Sequence, residues 1–304
     1  MLVSSKKILD KAHKGNYAVG AFNINNMEIL QAVVKGAINM NSPVLVSTSE
    51  GAIEYAGLKM LYEMTKVVAD NVKIPIALHL DHGRDFELIK KCAKIGYTSI
   101  MFDGSHLFYD ENVKITKKVV ALCHAKGIPV EAELGTIGGV EDKVSERKII
   151  YTEPSVAVDF VNKTGCDYLA IAIGTSHGAY KFEGNAKLRI DILKEIKKRL
   201  NMPLVLHGAS AVIPEVLQKA EKYGADLKGA YGVPESEVRM AIKNGINKVN
   251  TDTDLRMAFD AAVREVIATK PKDIDPRHIL GPARDYIQYV VEHRIKVFGS
   301  RNKA

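Results

Sequence analysis

An α/β protein built as a single (β/α)8 TIM barrel, with an N-terminal helix before it and a short helical insertion after strand seven, is what this sequence predicts. Three observations carry the expectation. Eight apolar, strand-like runs alternate with eight helical patterns over roughly 250 residues, the length of one barrel. Short connections such as Lys126-Gly127-Ile128-Pro129 and Asn201-Met202-Pro203 lead into strands, whereas longer and more polar connections follow them. Histidines and carboxylates gather where strands end, which is where barrel enzymes carry their chemistry. The whole chain, 1–304, is expected to be one catalytic domain.

In order, Val3 to Lys14 predicts the leading helix, and Tyr17 to Asn25 the first strand. Helical spacing over Met27 to Met40 precedes the run Pro43 to Ser49. A long helix over Gly51 to Asn71 then leads to the strand Ile74 to Asp81. Phe86 to Ile95, Ser99 to Gly104, Asn112 to Lys126 and Pro129 to Leu134 continue the alternation through strands four and five. The helix Pro154 to Thr164 precedes strand six, Tyr168 to Gly174, and Ile190 to Leu200 precedes strand seven, Pro203 to His207. After the helix Ile213 to Lys222 comes the extra segment Gly224 to Lys243, holding Gly-Val-Pro-Glu. Strand eight, Ile246 to Thr251, and the helix Asp254 to Ala268 follow it.

The composition, 46% hydrophobic and 26% charged, is that of a soluble globular protein. Met1 to Gly20 has no continuous apolar segment, so the expectation is no signal peptide, no membrane span and a cytoplasmic location. Cys92, Cys123 and Cys166 lie far apart in helical patterns and predict reduced, buried thiols. The net charge of +7 comes from lysines spread along amphipathic helices without interleaved aromatics, which speaks against nucleic acid. It suits the steering of a small, multiply charged anion.

Three strand ends each offer one histidine: His82 in Ala-Leu-His-Leu-Asp-His-Gly, His177 in Gly-Thr-Ser-His-Gly and His207 in His-Gly-Ala-Ser. Neighbouring strand ends converge on a barrel rim, and three imidazoles with an open fourth position form a catalytic zinc site. Each is otherwise a hydrogen-bonded core or loop histidine. His79, inside strand three, suits packing or support of a ligand. Asp81 sits where a carboxylate exchanges a proton with a substrate hydroxyl, or caps the strand end. Asp103 and Glu133 end strands four and five and suit orientation of the ligands or a second cation. Gly135 to Arg147 is a long charged connection whose Gly138-Gly139 suits a lid hinge. Glu141 on it is a candidate base or part of a solvated acidic loop. Gly174 to Gly178 and Gly208 to Ser210 have the small residues that let backbone amides approach phosphate. Asn250, Asp252 and Thr253 follow strand eight, with Arg256 a turn beyond.

Taken together, His-Leu-Asp-His-Gly, Glu-Ala-Glu-Leu-Gly-x-x-Gly-Gly-x-Glu-Asp, Ala-Ile-Gly-Thr-Ser-His-Gly, Leu-His-Gly-Ala-Ser and Asn-Thr-Asp-Thr-Asp-Leu-Arg resemble the class II, metal-dependent fructose-1,6-bisphosphate aldolases. The resemblance runs from about Ala21 to the C-terminus. It implies a zinc lyase that splits fructose 1,6-bisphosphate into dihydroxyacetone phosphate and glyceraldehyde 3-phosphate, and runs the reverse condensation. It implies Zn2+ on His82, His177 and His207, C4-hydroxyl proton transfer by Asp81, and C3 proton transfer by Glu141. Gly178, Gly208, Ser210, Asn250, Asp252 and Thr253 match contacts to the ketose and its C1 phosphate, and Ser49 and Arg256 match positions near the other end. A monovalent cation, Na+ or K+, and a homodimer or homotetramer are implied as well. Chemically, cleavage leaves an ene-diolate whose charge zinc can stabilise, whereas a Schiff-base route needs a lysine, for which Lys248 is the barrel-strand candidate. Tagatose-1,6-bisphosphate aldolase is the alternative within the group, but its enzymes tend to lack the Asp252 acid and the Arg256 arginine. More distant alternatives are a metal-dependent phosphosugar isomerase and a non-catalytic binding barrel.

Overall fold

The computed structural model describes residues 1–141, 144–146, 149–178 and 187–304. Eight parallel strands close into a barrel: Val19–Asn23, Val44–Ser49, Ile76–Gly83, Ser99–Phe102, Val130–Leu134, Tyr168–Ile171, Leu204–Leu206 and Ile246–Thr251. Each pairs with its sequence neighbours, and the first pairs with the eighth (Val19 with Lys248) to complete the ring. These are the eight runs expected from the sequence.

Side chains alternate across the pleat, so every second residue points into the barrel. At the bottom the interior is apolar, formed by Val19, Ala21, Leu45, Ala77, Ala170 and Val205. Ile8, Leu9 and Ala12 of the N-terminal helix Ser5–Gly15 plug it. Ser4 caps that helix through its side chain, and Asn16 ends it in a left-handed conformation. The residues between the inward ones face the helices and form the larger apolar core. Two steps further along the strands the interior turns polar, and there the candidate site begins.

Four elements depart from the expectation. The helix expected over Gly51 to Asn71 is two helices, Glu50–Ala56 and Leu58–Asp70, because Gly57 adopts φ 86° and ψ 132°, which no helix accommodates. The connection from Gly135 is partly β structure: Gly138–Glu141 pairs antiparallel with Val144–Glu146 and parallel with Ser176–His177. Cys166 is buried but follows the helix Pro154–Thr164 rather than lying in it. The longest helix, Pro276–Phe298, was not among those expected; it packs on Met27–Asn39 and on Thr253–Thr269. The insertion after strand seven does hold a helix, Glu235–Lys243. Among the described residues no helix is long and apolar enough to cross a membrane.

Candidate metal and active site

Strict alternation would send Asp81 and His82 to opposite faces of the third strand. His82 instead adopts φ 46°, and the pairing with the fourth strand shifts register between Leu80 and Gly83. This local break turns two consecutive side chains into one cavity, at the cost of a backbone conformation that a non-glycine residue seldom holds. The cavity is lined by Asn23, Asp81, His82, His207, Gly208, Ser210, Asn250 and Asp252.

Two imidazoles meet there, with Nε2 of His82 3.0 Å from Nδ1 of His207. Each ring is held at its other nitrogen by a carboxylate: Nδ1 of His82 lies 3.0 Å from Asp103, and Nε2 of His207 lies 2.7 Å from Glu131. A carboxylate only accepts, so each held nitrogen carries a proton and the facing pair, Nε2 and Nδ1, aim at one point, where a single cation, a proton or a metal, can sit between them. Two lone pairs so close repel unless a cation shares them, and 3.0 Å is a span that two ligands of one ion with bonds of about 2.0–2.1 Å can make. The donor set therefore fits a divalent metal. Asp81, His82 and His207 form one group with ligand atoms close enough to hold an ion, and His82, Asp103 and Glu133 form a second. The His177 ring stands 5.0 Å from that of His82 and 6.4 Å from that of His207, completing a triangle of imidazoles.

The electrostatics fit the same cation. Burial works against a charge on His82, but the charge of Asp81, the hydrogen bond and charge of Asp103 and the charge of Glu133 outweigh it and hold the imidazolium up to about 10. Burial, then the charges of His82 and Lys248, push His207 well below its ordinary range. Asp103 stays well below the usual carboxylate range because His82, Arg84 and Ser105 outweigh its burial. Glu133 goes the other way, to about 8, through burial and the charge of Asp103. With one His82 proton committed to Asp103 through Nδ1, the second stands at Nε2 facing His207, where a metal would displace it.

Asp81 is buried, and both its oxygens accept from amides, Oδ2 from Asn23 at 2.8 Å and Oδ1 from Asn250 at 2.7 Å. Burial opposes its ionisation, but His82, His207, Lys248 and Asn23 prevail and hold it below its ordinary value. It is a fixed carboxylate, ready to accept a proton. Beneath it His79 takes the supporting place: Nδ1 meets Ser99 at 2.7 Å and Nε2 meets Lys248 at 3.2 Å.

The remaining candidates divide by place. Gly208, Ser210, Asn250 and Asp252 reach the cavity, while Thr253 starts the helix that follows strand eight and is buried. Arg256 forms an ion pair with Asp252 at 2.6 Å. Ser49 caps the helix Glu50–Ala56 through Ala52 N. Gly178, at φ 84°, directly follows His177. Glu141 ends the strand Gly138–Glu141, but its side chain and Asp142 lie outside the described residues. From the sequence no role was expected of Asn23, at the end of strand one, or of Glu131, the first residue of the Glu-Ala-Glu-Leu motif. Both were reachable by counting alternate residues, Asn23 as the last inward position of strand one and Glu131 two before Glu133.

A closed parallel barrel with histidines and carboxylates gathered at the carboxyl ends of its strands is the build of a metal-dependent barrel enzyme. The model of the class-II fructose-bisphosphate aldolase family matches residues 3–226 and 227–303. The fructose-bisphosphate aldolase of Helicobacter pylori is 48% identical, with all of both chains covered. That of Thermus caldophilus is 46% identical over the whole of both chains. Among solved structures, the YdjI aldolase of Escherichia coli K12 superposes with a TM-score of 0.81 at 31% identity, covering 100% of each chain. The chain belongs to the class II fructose-bisphosphate aldolase family, and is a metal-dependent lyase.

Proposed function

We propose that this chain cleaves fructose 1,6-bisphosphate reversibly into dihydroxyacetone phosphate and glyceraldehyde 3-phosphate, with Zn2+ as its metal. The observation that carries the reading is the convergence of His82 Nε2 and His207 Nδ1 beside Asp81, each ring fixed from behind by a carboxylate. His177 is the third ligand. When bound, zinc supplies a Lewis acid that stabilises the negative charge left on the ketose half as the C3–C4 bond breaks.

The chain's own residues do the rest. Asp81, held as a carboxylate by Asn23 and Asn250, takes the proton of the C4 hydroxyl as the aldehyde forms and returns it in condensation. Glu141 delivers the proton to C3. Gly178, Gly208, Ser210, Asn250, Asp252 and Thr253 hold the ketose and its C1 phosphate, and Ser49 and Arg256 serve the other end. Asp103 and Glu133 orient His82 and leave room for a second cation, and Na+ or K+ sits beside the phosphate. The enzyme acts in the cytoplasm as a homodimer or homotetramer of one-domain subunits spanning residues 1–304.

The test is cleavage of fructose 1,6-bisphosphate by the purified protein, read as triose phosphate, before and after chelation and zinc return, with the tagatose epimer alongside. Activity lost with chelator, restored by zinc and higher on fructose is expected. Activity surviving complete metal removal overturns the zinc mechanism, and preference for the epimer overturns the substrate.

A further inference from the structure

We propose that the insertion Gly224–Lys243 and the C-terminal helix form the mould of the loop Gly208–Val212, with Gly232, Val233, Asp254 and Arg294 as positioning residues that set affinity for the substrate phosphate. This rests on the reading of Gly208 and Ser210 as phosphate contacts.

The loop does not hold its shape by itself. Val212 lies at φ 51°, a left-handed conformation that a β-branched residue adopts only when its surroundings impose it. Three separate chain segments impose it. From the helix after strand eight, Asp254 accepts Val212 N at 2.8 Å and Ala211 N at 3.1 Å. From the C-terminal helix, Arg294 Nη2 donates to Ala209 O at 3.0 Å. From the insertion, Val233 N donates to Ser210 O at 3.0 Å. Residues Ala209 to Val212 are thus each pinned through the backbone by a residue distant in sequence.

Gly232 makes the fit close. A Cβ there would stand 2.2 Å from the carbonyl carbon of Ala211 and 2.5 Å from Ser210 O, so the insertion lies flush against the loop only with glycine at this position. Arg294 ties the layers together. Its guanidinium is wholly buried, 3.5 Å from Asp254 and 3.8 Å from Glu235 at the start of the insertion helix, and stacks on Phe298 at 4.8 Å. One buried cation therefore joins the insertion, the helix after strand eight and the loop. None of these side chains needs to touch substrate.

Phosphate held by backbone amides and a short hydroxyl tolerates little displacement of the donors. A phosphate remote from the breaking bond is held alike before and during reaction, so a displaced loop raises KM and leaves kcat. The experiment compares Gly232→Ala, which pushes the loop, with Arg294→Lys, which keeps the charge and shortens the reach to Ala209 O. Ser210→Ala serves as the reference, and all are measured as zinc-loaded, folded enzyme. In both positioning variants, KM for fructose 1,6-bisphosphate and the inhibition constant of inorganic phosphate are expected to rise together about tenfold, with kcat and zinc content within about twofold. If Ser210→Ala weakens phosphate and neither positioning variant does, the inference falls while the phosphate reading stands. If Ser210→Ala also changes nothing, the phosphate reading fails and takes the inference with it. A fall in kcat at constant KM likewise overturns it. Arg294→Lys decides the matter should Gly232→Ala fail to fold.

Discussion

Lys248 and Glu131 meet in the middle of the barrel, both wholly buried, with the ammonium 2.8 and 3.0 Å from the two carboxylate oxygens. Lys248 also donates to His79 Nε2, and Glu131 accepts from His207 Nε2. The ion pair is the floor of the candidate metal site, because the carboxylate that fixes His207 is itself fixed by the lysine. Removing one partner strands a charge where water cannot reach it. Lys248→Met is therefore expected to destabilise the metal-free protein by about 3–5 kcal/mol in denaturant unfolding, and Glu131→Gln added to it to recover part of that loss. An ammonium committed to two partners is also a poor imine former. Borohydride with substrate should leave the mass of the wild-type protein unchanged, and a trapped adduct on Lys248 would contradict the metal mechanism.

Asp81→Ala separates proton transfer from metal binding. Asp81 accepts from Asn23 and Asn250 but holds neither histidine in place. The variant should keep its zinc by elemental analysis, while kcat falls about 10²–10⁴-fold, the range for a lost general acid or base. Loss of zinc in step with activity would instead make Asp81 a ligand.

The barrel was legible because its outward residues are apolar and its inward ones change character at a fixed period, so all eight strands stood out. His82 and His207 were legible as residues at barrel-strand ends, whereas His177, expected at the end of strand six, lies beyond it in the short strand Ser176–His177 of the small sheet. What joins the three was not legible. The register break that places Asp81 and His82 on one side depends on φ 46° at His82, which no spacing rule anticipates. Glu131 and Lys248 are separated by 117 residues, and only closure of the barrel pairs them. The helix Pro276–Phe298 escaped because Pro282 lies inside it just after Gly281, a pair that reads locally as a turn; packing on two other helices overrides that preference.

Gly139 is the backbone lever on His177. It pairs with His177 across the small sheet and sits at φ 93°, and a Cβ would fall 2.3 Å from His177 O. Gly139→Ala should displace the strand Ser176–His177 without touching the barrel. Zinc affinity by chelator competition is expected to drop about 10–100-fold, the size of effect seen when support of a metal ligand is lost. The thermal midpoint of the metal-free protein should hardly move. An unchanged zinc affinity would remove His177 from the ligand set.

Protons and metal compete for the same cluster, and the direction follows from the shifts. In the metal-free protein His82 is raised from 6.5 to about 10 and Glu133 from 4.5 to about 8. Between those limits the folded chain holds protons that the unfolded chain has released. Their contribution to stability is whole below the unfolded values and is lost as pH rises through the folded ones. His79 and His207 are lowered and Asp81 and Asp103 are lowered, so their contributions are lost on the acid side and leave the alkaline side to His82 and Glu133. Metal-free protein should therefore become less stable from pH 7 to pH 10. Zinc needs the lone pair that the His82 proton occupies, so binding at pH 7.5 must expel that proton, and affinity must climb with pH. Calorimetric titration in two buffers of different ionisation enthalpy reads the protons released, and a value of at least one per zinc is expected. Glu133→Gln should lower that number and flatten the stability curve below pH 8. Zinc binding with no proton released would mean that His82 is already neutral in the empty site, and that the carboxylates around it balance their charge in another way.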